Sequence, residues 1–291
     1  MSNYYKPSGK FSPLSFVYLL LVCAVVLPIL AAIYAYAIWY IPFVYLNFLV
    51  TAGFGFVIAI AVGQIVIKIG KVRNYGLAIF FALIASLVAY YLQWIVWADL
   101  AINTGEVIGN KKIGVAVSNV QFDQLLYLLA NPSELFGLIG LINEEGTWGF
   151  KGSVVTGTFL TIIWVIEFLI IVIIAVIGSI ARSKEPFNET LDEWFKEEEL
   201  PVFSYIENSN NFKQLAEQGN WEELGTTIEK GNQDQSHSVF TLFASGNEYY
   251  ISVTNEKAKV AKKDKVEFDT DNFIEYLRID KTVYDMLKSK A

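Results

Sequence analysis

Four apolar runs decide what this chain can fold into. They extend over about Leu14 to Ile38, Phe43 to Ile67, Tyr75 to Ala98 and Val154 to Ala181, and each is long enough to cross a hydrocarbon layer of roughly 30 Å as a helix. Polar residues do not recur on one face of them, so they read as helices solvated by lipid. The chain of 291 residues is 54% hydrophobic, too apolar for an ordinary soluble domain of that length. The expected fold class is an all-α polytopic membrane domain of four transmembrane helices, with a partly helical outer loop that is interfacial or re-entrant, followed by a small α+β cytosolic domain. The expected boundaries are 1–13 for a cytosolic N-terminal segment, 14–184 for the transmembrane domain with its outer loop at 99–153, and 185–291 for the cytosolic domain.

Basic residues orient such a bundle. They cluster at Lys6 and Lys10, at Lys68, Lys71 and Arg73, and at Arg182 and Lys184, three places that lie on one side of a four-span chain. The connection around Tyr40 and Pro42 is uncharged, and 99–153 holds three lysines against six acids. The expectation is a multi-pass protein of a bacterial-type inner membrane with both termini cytoplasmic. Ala35-Tyr36-Ala37 has the form a signal peptidase accepts, but the run before it is too long for a signal sequence, which favours a retained helix. Trp39, Tyr40, Tyr45, Trp94, Trp97 and Trp148 then fall at the outer boundary, where amphipathic rings sit.

The second run places Thr51, Gly55, Ala59 and Gly63 along one helical face, and the third offers Ala78, Ala82, Ser86 and Ala89. Small residues at that spacing let two backbones approach closely. These two faces are expected to pack on each other within one chain; the sharper alternative is that the glycine stripe builds an oligomer or lines a pore.

The last run, TIIWVIEFLIIVIIAVIG, carries one charge-bearing side chain, Glu167, near the midplane and level with Pro28, Gly55 and Ser86. No basic residue lies within the hydrocarbon part of any run, and a carboxyl group without a counter-charge in lipid favours its neutral form. Three roles are open to it. It is helix glue, bonding the Ser86 hydroxyl and the Ala24 carbonyl that Pro28 leaves free; or it carries a proton or cation; or it meets a polar group on another membrane protein.

The outer loop contains apolar segments at Phe122 to Ala130 and Leu135 to Ile142, separated by Asn131-Pro132, with Ser133 placed to cap the second. Each is too short to span. Glu144 and Glu145 beside Gly146 form a polar turn to which no chemistry is assigned.

Residues 185–291 hold 12 basic against 22 acidic side chains, a local balance of −10, which disfavours nucleic acid as a partner. In NETLDEWFKEEEL, Thr190 and Glu193 read as a capping box before an amphipathic helical turn with Leu191, Trp194 and Phe195 on one side. Two short helices are expected to break near Gly219, a hairpin to turn at Ser245-Gly246-Asn247, a lysine-rich strand to follow, and helices to start at Asp271 and Lys281. Lys257, Lys259, Lys262, Lys263 and Lys265 are the basic cluster here, read as an edge strand guarded by lysines or as a contact for anionic lipid or an acidic partner. The single cysteine, Cys23, excludes an intrachain disulfide, and the single histidine, His237, reads as a surface residue. No nucleotide-binding, hydrolase or metalloprotease motif occurs.

No cofactor, no metal and no enzymatic activity are expected. The leading expectation is a non-enzymatic membrane assembly or accessory protein with a cytosolic protein-interaction domain. The alternative is a small oligomeric channel or proton- or cation-coupled transporter using Glu167. Membrane lipids and another membrane or cytosolic protein are the implied partners, with a second copy of the chain also possible on the pore reading.

Overall fold

The computed structural model describes residues 3–41, 44–110, 113–146, 149–150, 153–260 and 266–291. Among them are four helices long and apolar enough to cross a membrane: α1 (Leu14–Tyr40), α2 (Tyr45–Ile69), α3 (Tyr75–Ile102) and α6 (Gly157–Lys184). This is the layout of a multi-pass membrane protein. Between α3 and α6 lie a hairpin of β1 (Val107–Asn110) and β2 (Ile113–Ala116), the helices α4 (Phe122–Ala130) and α5 (Pro132–Glu145), and the short strands β3 (Gly149–Phe150) and β4 (Ser153–Val154). The α4–α5 pair bends through 106°. Its break is at Asn131-Pro132 as the sequence indicates, but α5 starts one turn early. Pro132 takes the first helical position, where its missing N–H costs nothing, so Ser133 lies inside the helix and does not cap it.

The chain divides into two compact units, Ser8–Lys184 and the residues up to Pro7 together with Glu185–Ala291. In the first, α1 packs chiefly on α3, α2 on α6, and α3 on α6. Two stretches of π-helix loosen the ladder, Val22–Val26 in α1 and Val62–Ile69 in α2. The former lies just ahead of Pro28, whose ring has no N–H to give. Residues before α1 return along the α2–α3 connection: Gly9 N donates to Arg73 O, Arg73 N to Lys10 O and Ser12 N to Gly70 O.

The second unit is built on an antiparallel sheet of β7 (Lys196–Glu199), β9 (His237–Ser245), β10 (Glu248–Val260) and β11 (Val266–Ile279), in the order β11-β10-β9-β7. A short hairpin of β5 (Phe187–Asn188) and β6 (Glu193–Trp194) precedes it, and β8 (Phe203–Ser204) pairs with β9. Helices α7 (Ser209–Gln218), α8 (Trp221–Thr227) and α9 (Lys281–Lys290) complete the unit, and Phe212, Trp221, Phe240, Ile251, Ile274 and Leu287 lie in its buried core. Gly219 ends α7 in the left-handed conformation at φ +81, and Gly246 opens the β9–β10 turn at φ +58.

Two sequence expectations fail in this unit for identifiable reasons. The stretch NETLDEWFKEEEL is not helical. Asn188 Oδ1 accepts from both Thr190 N and Leu191 N at 3.0 Å, closing a side-chain turn, and Asp192 at φ +55 keeps that turn from continuing as a helix. The chain then doubles back to pair Phe187 with Trp194, and Lys196–Glu199 joins β9. No helix starts at Asp271 either. That residue pairs with Asn255 inside β11, and Asp280 supplies the cap of α9 by accepting from Val283 N at 2.8 Å.

Candidate functional site

Glu167 is half-buried on α6, and the tyrosines within electrostatic reach of it are Tyr34 of α1 and Tyr90 of α3. Tyr34 is 4% exposed, stacks on Phe54 at 4.3 Å and shares a 2.9 Å hydrogen bond with Thr51 Oγ1. Tyr90 donates to the Trp164 carbonyl at 3.0 Å, one turn of α6 before Glu167, and its ring lies 4.9 Å from Phe168. The two tyrosine hydroxyls thus tie α1 to α2 and α3 to α6, on the stretch of α6 that carries Glu167. The carboxyl group itself makes no hydrogen bond or ion pair with a described residue.

Ser86 is fully buried, but its Oγ has no hydrogen-bond partner among the described residues, so the expected Glu167–Ser86 bond is not formed. Pro28 is half-buried and Ala24 exposed on α1. The tyrosines, rather than Ser86 and the Ala24 carbonyl, are the groups that the fold brings to Glu167. Asn47 Oδ1 is another buried acceptor without a partner among the described residues.

Of the stripe Thr51, Gly55, Ala59, Gly63, the last three face α6, not α3 as the sequence suggests, while Thr51 bonds Tyr34 of α1. A Cβ on Gly55 would lie 3.1 Å from the backbone of Ile171, Ala59 meets Gly178, and a Cβ on Gly63 would lie 2.9 Å from Arg182 Cγ. The α3 stripe of Ala78, Ala82, Ser86 and Ala89 is also fully buried. Both helices have small faces, and which neighbour each one meets follows from the other side of the contact: α6 presents Ile171 and Gly178 on one face, and Gly178 accepts Ala59 without a Cβ of its own.

At the end of the bundle carrying the long connection, Asp99 is fully buried at the foot of α3. Its carboxylate accepts from Gln121 N at 2.8 Å and from Asn103 Nδ2 at 3.2 Å, and Asn103 also donates to Gln124. The boundary aromatics serve the same connection. Trp39 Nε1 donates to Ala116 O, Tyr40 to Ser118 O, and Trp97 packs edge-on against both Trp39 and Trp94. Tyr45 stays 85% exposed. Trp148 lies outside the described residues.

In the tail, Lys257 and Lys259 are exposed on β10, opposite Asp269 and Glu267 of β11. Lys259 Nζ lies 2.8 Å from Asp269 and holds that carboxyl below the usual carboxylate range. Lys262, Lys263 and Lys265 lie outside the described residues. His237 is not a surface residue: it is 4% exposed, with Nδ1 2.7 Å from Gln235 O, Nε2 3.1 Å from Glu256 and its ring against Phe268. A polar sequence neighbourhood hid it, since Glu256 and Phe268, which cover its ring, come from β10 and β11.

Comparison with family models, with curated proteins and with solved structures finds no match to this chain.

Proposed function

We propose that this chain is a non-enzymatic assembly or accessory protein of a bacterial-type inner membrane, with both termini cytoplasmic, whose acidic tail domain binds another protein. The observation that carries the proposal is the use of the small-residue face of α2. That face is occupied inside one chain by α6, with Gly55 against the backbone of Ile171, whereas a pore built on it would need the face free at an axis. The outward surface of α4 and α5 includes exposed Phe122, Leu126, Tyr127, Phe136 and Leu141, which favours a bent pair seated in lipid as a re-entrant segment. The tail offers an edge strand, β7, whose four residues Lys196–Glu199 are all exposed. Unpaired backbone on an acidic edge is a surface suited to a basic protein partner.

A photo-crosslinker placed at Glu197 or Glu199 in native membranes tests this reading. A discrete adduct that disappears when both glutamates become lysine is expected. No adduct from either position would remove the tail edge as the binding surface.

A second reading has its own support. Glu167 lacks a hydrogen-bonding or charged partner among the described residues and lies three residues beyond the Trp164 carbonyl that Tyr90 bonds, a deep carboxyl group of the kind that a proton- or cation-coupled carrier uses. Flux of protons and monovalent cations in proteoliposomes separates the two. The leading reading expects none from either the wild type or Glu167→Gln, and flux lost in Glu167→Gln would replace it with the carrier reading.

A further inference from the structure

The tail sheet does not end at β11. Residues Asn3 to Tyr5 run antiparallel along its outer edge: Tyr5 N donates to Tyr276 O at 2.9 Å, Arg278 N donates to Asn3 O at 2.7 Å, and Tyr4 stands opposite Leu277. The side chains hold it as well. The Tyr4 hydroxyl donates to Glu217 Oε1 at 2.7 Å, Asn3 Nδ2 donates to Glu217 O, and Lys213 Nζ lies over the Tyr4 ring at 5.7 Å. Tyr5 packs edge-on against Tyr250 and Tyr276, beside buried Phe195 and Phe243.

The edge that receives this strand is not ordinary. Between the pairs Ile251/Leu277 and Val253/Ile274 one residue of β10 faces two of β11, a bulge. Within it Tyr276 adopts φ +56, a left-handed conformation that is strained for a bulky aromatic residue. Ser252 Oγ accepts from Tyr276 N at 3.0 Å, and the Tyr276 carbonyl faces out to meet Tyr5. A strained residue placed where it re-aims an edge carbonyl points to a binding role.

We propose that the β11 edge is a strand-binding site for an extended peptide carrying two adjacent aromatic residues, and that the chain's own N-terminal segment, Asn3 to Tyr5, is its tethered ligand. The backbone bonds take any extended chain, while the Tyr4 and Tyr5 pockets select the sequence. Because the ligand is covalently attached, it competes at high effective concentration, so the site opens to another chain only when the strap leaves. The proposal deepens the protein-binding reading of the tail and rests on it, naming an edge opposite to the acidic β7 edge.

The test uses the full-length chain in lipid nanodiscs, intact or lacking residues 1–7, and a fluorescent synthetic peptide of residues 1–10. The deletion variant should bind the peptide at least tenfold more tightly than the intact chain does, and a peptide with both tyrosines changed to alanine should not bind. Equal binding to the two chains, or none to either, overturns the proposal. Should the deletion unfold the tail, Asn3→Cys with Arg278→Cys in a Cys23→Ser background decides instead. An intrachain disulfide that abolishes residual peptide binding supports the tethered ligand; its absence overturns it, and a disulfide-linked dimer would mean that the site takes the strand of a second copy. Failure here leaves crosslinking from Glu197 and Glu199 unaffected, so it does not by itself remove the protein-binding reading.

Discussion

Glutamine at position 167 keeps the size and much of the polarity of glutamate but cannot exchange a proton. If Glu167 only completes a polar cluster with Tyr34 and Tyr90, Glu167→Gln should fold normally and shift the melting temperature in detergent by a few degrees at most. Polar contacts between membrane helices average about 0.6 kcal/mol, since the separated helices find other partners. A Glu167→Leu variant is the counterpart: the carboxyl group makes no hydrogen bond with a described residue and both hydroxyls have partners of their own, so leucine should fold and melt at least as high as glutamine does. Glu167 was legible in the sequence because one charge in an apolar run stands out. Tyr34 and Tyr90 were not, because a tyrosine in such a run counts as apolar and only helix rotation shows whether its hydroxyl turns inward. Asp99 was hidden differently: at the end of an apolar run it reads as a boundary marker, and its burial depends on Gln121 and Asn103 folding back over it.

Between elements, two glycines on the same helix separate a packing role from mere tolerance. Gly55 meets the backbone of Ile171, whereas a Cβ on Gly53 would meet nothing within 4 Å. Gly55→Leu should therefore push α2 from α6 and cost about 1–3 kcal/mol, the usual range for overpacking, while Gly53→Leu on the exposed side should leave thermal stability nearly unchanged. Equal losses from the two would show that the α2–α6 contact is not the tight one. The spacing of small residues revealed that a close helix contact exists, but not its partner, since α3 has a comparable stripe and only the absence of a side chain at Gly178 favours α6 against Ala59. The tail shows the same limit in another form. Gly219 and the Gly246 turn were legible, because each is a local backbone requirement written in one residue. The β5–β6 hairpin was not: Thr190 and Glu193 have helix-capping spacing, but Asp192 at φ +55 turns the chain back so that Phe187 meets Trp194 edge-on at 5.0 Å, a contact that local spacing does not announce.

For the whole molecule, the N-terminal strand joins the two ends of the sequence in one folding unit. On the four-span layout proposed above both termini lie on one side, and pairing of the first few residues with the tail sheet fits that proposal. Nothing in the first thirteen residues announces a strand; the pairing is specified by the bulge in β11, more than 270 positions away, which is why the sequence alone assigned that segment only to the cytosol. Its hold on the sheet should depend on alkali in a defined direction. Burial, with the Glu217 carboxylate accepting its proton, pushes the Tyr4 hydroxyl up from its ordinary value. A free peptide's tyrosine ionises near about 10. The raised value in the bound state means that binding is at full strength below about pH 10 and weakens as pH rises through it, because the bound form must keep a proton that the free peptide gives up. Affinity of the residue 1–10 peptide for the chain lacking residues 1–7 should thus fall between pH 9 and pH 11 in this direction. A peptide with Tyr4→Phe should bind more weakly at neutral pH by about 1 kcal/mol, the worth of one hydrogen bond, and should lose less affinity on going to alkali, so that the two titration curves converge. Parallel curves would mean that the Tyr4–Glu217 bond contributes nothing to the strap, leaving the backbone pairing at Tyr276 and Arg278 and the Tyr5 ring to hold it.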